Sequence, residues 1–125
     1  MKEKIIAKSI VIALAVLFTA LFTAQFLLFD FGDNKFVETI KDTIEYAKSG
    51  DWDNANKEAE KAYNIWDNGN AIVAIKYSET DFTFLNVYLA RFNSAVRQKD
   101  ASSVEKEGLS AIYIFNNITS IAPKP

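Results

Sequence analysis

Residues 9–29 read SIVIALAVLFTALFTAQFLLF, an apolar run without a charge in which Gln25 is the sole strongly polar side chain. Wound as an α-helix at about 1.5 Å per residue, such a run extends about 31 Å, matching a hydrocarbon core of about 30 Å. Lys2, Lys4 and Lys8 precede it and Asp30 and Asp33 follow. Cationic flanks stay on the cytoplasmic side, so the N-terminus is expected inside and everything past residue 30 outside. A cleaved signal peptide is the competing reading, but it needs small residues at both the minus-three and minus-one positions. Ala20 has Phe18 two residues before it and Ala24 has Phe22, so the run is expected to stay as an anchor. The division is then residues 1–8 as a cytoplasmic N-terminus, 9–29 as a transmembrane helix in the lipid bilayer of the cytoplasmic membrane, and 30–125 as an extracytoplasmic domain. Gln25 is a candidate contact to another transmembrane helix, although near the outer end it can also reach the headgroups.

The remaining stretch is short for an independent domain, with room for one core. The chain is 50% hydrophobic and 14% aromatic with two prolines, a composition that folds. It has no cysteine and no histidine. That removes disulfides, thiolate metal sites, the usual general base and the commonest zinc ligand, so no cofactor or metal is expected. A di-metal bundle site, which pairs glutamates with a Glu-x-x-His motif, cannot be completed. Beyond residue 29 there are 11 Lys and Arg against 15 Asp and Glu, once Lys2, Glu3, Lys4 and Lys8 are set aside from the chain's 14 and 16. A domain near minus four with no basic run does not suit nucleic acid.

Past the break at Gly32 and Asp33 the pattern is helical throughout. A first helix is predicted over about Asn34–Ser49, with Phe36, Val37, Ile40, Ile44 and Ala47 on one stripe and Gly50 as its left-handed cap. A second is predicted over about Asp51–Asp67, burying Trp52, Ala55, Ala59, Ala62, Tyr63 and Trp66, and closed by Asn68 and Gly69. Asn70 would cap a long third helix, about Ala71–Lys99, whose Ile75, Phe82, Leu89 and Val96 recur every seven residues with Leu85 and Phe92 between them. A last helix is expected from a capping box of Ser102 and Glu105, burying Val104, Leu109, Ile112, Phe115, Ile118 and Ile121, and stopped by Pro123 and Pro125. Four amphipathic helices with short loops predict an all-α chain: the transmembrane helix, then an antiparallel, up-and-down bundle of about four helices. The alternative is a tetratricopeptide-like pair, since GDWDNANKEAEKAYNIW (50–66) resembles the opening of such a repeat, but no second copy follows at the fixed period.

Chemistry needs convergent groups, and the best candidate is the polar interruption Tyr77, Ser78, Glu79 and Asp81, set to face Asn116 or Asn117 on the last helix. An inward Glu79 needs a donor such as Arg91 or Lys76, or a ligand cation. The plainer reading places Glu79 and Asp81 on a solvated flank. Trp52 and Trp66, fourteen residues apart, could stack on a sugar or a partner, although core burial accounts for them equally well. Asn117–Thr119 spells a glycosylation sequon, a poor acceptor inside a helix. Without a histidine or a cleft suited to paired carboxylates, an enzyme is not expected.

The soluble part also carries DW followed by alanines, a second tryptophan at Trp66, YSETDF over 77–82, RQKD over 97–100 and IFNNI over 114–118. In these features nearly the whole chain resembles the bacterial family labelled domain of unknown function 4363, whose members are small, with one N-terminal membrane helix and a helical remainder. Members typically place a tryptophan and histidines before the acidic pair; Ala71 to Lys76 supply neither here. The resemblance implies an accessory or assembly protein of the cell or spore envelope, working beside a multi-spanning membrane protein. The expected function is thus a membrane-anchored, extracytoplasmic helical interaction module, with a small-ligand or cation sensor as the alternative.

Overall fold

The computed structural model describes residues 1–76 and 79–120, with the side chains of all but Ile75, Lys76 and Glu79. Among these residues the chain is all-helical: α1 Lys2–Phe29, α2 Phe36–Lys48, α3 Trp52–Lys76, α4 Glu79–Arg97 and α5 Ala101–Ile118. Helix α1 is long and apolar enough to cross a membrane, and its residues 1–20 are exposed throughout. The other four pack in a closed circuit in which α2 touches α3 and α5, and α4 touches α3 and α5. Helix α1 joins that circuit by packing on α3.

The core explains how α1 belongs to it. Phe29, in the last turn of α1, is fully buried, with its ring 6.3 Å from Phe36 of α2, 5.8 Å from Trp66 of α3 and 5.2 Å from Phe115 of α5. Trp66 in turn meets Phe82 of α4 at 5.5 Å. Each of the five helices therefore contributes one ring to a single cluster, at separations where tilted and edge-to-face pairs add to area burial. Away from it, α2 buries Ile40, Ile44 and Ala47, and α3 offers Ala55, Ala59 and Ala62, small enough for close approach. Helix α4 keeps the predicted seam through Phe82, Leu85, Leu89, Phe92 and Val96, at alternating spacings of three and four.

Several boundaries differ from the sequence reading, each for a local reason. Helix α3 does not stop at Asn68 and Gly69 but continues to Lys76. Gly69 is buried in mid-helix against the Phe29 ring: a Cβ there would lie 2.5 Å from Phe29 Cζ and 2.8 Å from Cε1. The glycine admits a ring instead of ending a helix, and the next described helix, α4, starts at Glu79. Gly50, by contrast, is the expected cap. Its φ is 77°, its N–H bonds the Ala47 carbonyl and the Asp51 N–H bonds that of Tyr46, a Schellman pair. Lys99 closes α4 in the same way at a φ of 56°, with its own N–H on Val96 and that of Asp100 on Ala95. Helix α5 is capped by Asp100 and not by Ser102, because one carboxylate takes both the Ser103 N–H (3.2 Å) and the Ser103 hydroxyl (2.7 Å). Tyr63 and Leu109, expected inside, are about half exposed; Ile65 on α3 and Gly108 and Ala111 on α5 hold the inward positions. Ile75, expected in the core, lies outside the described side chains, as does Ile121.

Candidate functional site

Among the described residues, those singled out from the sequence are spread over three helices of the domain. Trp66 is 1% exposed within the aromatic cluster and its indole N–H donates to Asn86 Oδ1 at 2.7 Å, so its ring faces are committed to the core. Trp52 is half-buried in the first turn of α3, more than three turns away, against the far end of the core. Asp81 is half-buried near the start of α4, Asn116 is exposed and Asn117 half-buried near the end of α5. Ser78 and Tyr77 lie outside the described residues, and so does the side chain of Glu79, which is the first residue of α4.

Gln25 does have a built environment. It is buried on α1, and its side-chain Nε2 donates to the Thr119 carbonyl at 2.9 Å, one residue past the end of α5. A helix leaves its last four carbonyls without partners of its own, and a side chain from a neighbouring helix fills that need here. Gln25 and Phe29, four residues apart, lie on one face of α1. That face ties the apolar helix to α5 through a hydrogen bond and to α3 through the Gly69 notch. Just beyond, Asp30 continues the helix by donating its N–H to the Phe26 carbonyl, and loss of hydration there raises its carboxyl above the usual range.

Two features were not legible in the sequence reading. Glu107, on the inward side of α5, is 9% exposed and its Oε2 is buried with no hydrogen-bond partner. A cleft of about 380 Å³ opens between α3 and α4, lined by Asn56, Glu60 and Tyr63 from one and Asn93 and Arg97 from the other, over a floor of Ala59 and Val96. It offers amides, a carboxylate and a guanidinium, groups that bind polar surfaces, with no nucleophile and base in a pair. Among the described residues no group of three or more His, Cys, Asp or Glu side chains is placed to hold a metal ion.

Along α1 a shallow groove of about 500 Å³ is formed by Phe18, Thr19, Phe22, Thr23 and Phe26. It follows from the repeat FTALFTAQF, which sets a ring and a threonine on the same face every four residues. The Thr19 hydroxyl donates to the Ala15 carbonyl at 2.9 Å, so no hydroxyl hydrogen is stranded in an apolar setting. Compared with known proteins, the chain matches no family model, no curated protein and no solved structure.

Proposed function

We propose that the chain is a single-pass protein of the cytoplasmic membrane, N-terminus inside, whose helical domain stands outside as an interaction module and serves as an accessory subunit of a larger, multi-spanning membrane protein. The observation that carries the membrane reading is α1 itself. Its large side chains from Ile5 to Phe18 are each at least half exposed, in a chain where Phe29, Phe36, Trp66, Phe82 and Phe115 converge on one cluster. An apolar area of this size calls for an apolar surrounding. The lysines before it and the aspartates after it support the orientation.

The domain is an antiparallel, up-and-down bundle in this reading. Phe36, at the start of α2, meets Phe115 near the end of α5 at 4.4 Å, while Lys48, at the end of α2, pairs with Glu105 near the start of α5 at 3.1 Å. The accessory role is supported by the manner of attachment: α1 enters the aromatic cluster directly, with no flexible tether between anchor and domain. It is supported further by the ring-and-threonine groove on α1, a face shaped for another transmembrane helix, and by the resemblance to domain of unknown function 4363.

Topology and partnership are tested together with a photoreactive residue at Phe18 in living cells, followed by protease treatment of intact protoplasts. The expected result is one discrete adduct with a multi-spanning polypeptide and loss of the C-terminal domain to the protease. Full protection of the domain overturns the orientation, and irradiation that yields lipid adducts alone overturns the accessory reading.

A further inference from the structure

The apolar run and the helix–domain contacts disagree about where the bilayer ends. If Ser9–Phe29 filled the hydrocarbon, its outer edge would fall at Phe29. Phe29 is inside the domain core, however, Leu28 packs against that core, Gln25 is buried with its amide on Thr119, and the side chains along α1 first cease to be exposed at Leu21. Phe29 lies eight residues beyond Leu21, about 12 Å along the helix. Helix α3 runs back along this stretch: it touches Phe29 at Gly69 and extends seven residues further to Lys76, about 10 Å. Setting the outer edge at Phe29 would therefore carry the C-terminal end of α3 about 10 Å into hydrocarbon. Ionised groups and helix ends are excluded from that depth unless paired.

We propose, resting on the membrane-spanning reading above, that α1 crosses the bilayer over Ile5–Leu21 and that the underside of the domain rests in the outer headgroup layer. Ile5–Leu21 gives 17 residues, about 26 Å, and the remaining few ångströms are met by local thinning. Lys8 lies inside this span, one turn from its inner end, within reach of the cytoplasmic headgroups for a snorkelling side chain. Lys2 and Lys4 then sit among those headgroups. At the outer face the half-exposed ring of Phe26, five residues and about 8 Å beyond Leu21, meets the layer where amphipathic surfaces are tolerated. The occupant of the domain's underside is thus phospholipid headgroup, with no tether holding the bundle clear of the surface.

The chain has no cysteine, so single-cysteine variants of the full-length protein can be spin-labelled one at a time. Labels at exposed positions between Ala7 and Thr23, and at Phe31 and Phe84, are placed in phosphatidylcholine–phosphatidylglycerol vesicles. Depth is read from the ratio of oxygen to nickel-chelate accessibility, with the emission of Trp66 as the check on folding. The expected maximum depth is at Ala13, the midpoint of Ile5–Leu21, with Thr23 already at the headgroups. A maximum at Thr19, the midpoint of Ser9–Phe29, overturns this register and leaves the spanning helix intact; the two differ by six residues, about 9 Å. A profile without a depth maximum at any position overturns both.

Discussion

Replacing Gly69 by alanine tests how α1 is joined to the domain, because two readings of this glycine predict different couplings. In mid-helix, alanine is favoured over glycine by about 1 kcal/mol. Against this, the new Cβ falls 2.5 Å from Phe29 Cζ, about 1 Å inside the optimal carbon–carbon separation of about 3.5 Å. The Phe29 ring cannot swing aside freely, because it is fully buried between Phe36, Trp66 and Phe115. Overpacking of this kind costs about 1–3 kcal/mol, so Gly69→Ala should destabilise by up to about 2 kcal/mol in net terms. In a Phe29→Leu background the ring is gone, and the same change should stabilise by about 1 kcal/mol, the helix propensity alone. The sign inversion is the signature. The assay is equilibrium urea unfolding of a Trp52→Phe form of the full chain in mild detergent, followed by the fluorescence of the remaining Trp66, whose ring centre is 5.8 Å from that of Phe29. Equal effects of Gly69→Ala in both backgrounds would show that Phe29 does not occupy the notch.

Three further changes probe the domain itself. Lys99→Gly relieves a left-handed residue at a φ of 56° and should raise stability by about 0.5–1 kcal/mol in the same unfolding assay; a loss would mean that this cap is not left-handed in solution. Glu107→Met replaces a carboxylate whose Oε2 is buried without a partner by an apolar chain of similar length, and should stabilise by about 1–2 kcal/mol at neutral pH. A marked loss there would point to a partner for Glu107. The Ser103 hydroxyl and N–H hold the Asp100 carboxyl below its ordinary value. Its contribution is therefore complete at neutral pH and disappears as the pH falls through the folded value, so melting curves of wild type and Asp100→Ala should converge in acid.

Where the sequence was legible, a single physical signal was at work. Uninterrupted apolarity marked α1, and a stripe at spacings of three and four marked α2 and the Phe82–Val96 seam of α4. Gly50 was recognisable as a cap because polar and apolar positions lose their register after it. Gly69 differs from it: Ala59, Ala62, Trp66, Gly69 and Val73 continue one buried stripe through the glycine at spacings of three and four. What could not be read from one chain was reciprocity across space. Nothing in Gln25 announces Thr119, 94 residues away, as its acceptor, and nothing in Phe29 announces that the last ring of an apparent membrane segment belongs to a soluble core.

The proposed role stands or falls with whether this module works beside a larger membrane protein. Its most direct test is purification of the full-length chain from its native membranes in mild detergent, with every bound polypeptide identified and quantified by mass spectrometry. A multi-spanning protein recovered in fixed ratio, and lost when Phe18, Phe22 and Phe26 are changed together to leucine, is the predicted result. Recovery of the chain alone, with α1 intact and the domain folded, would contradict it.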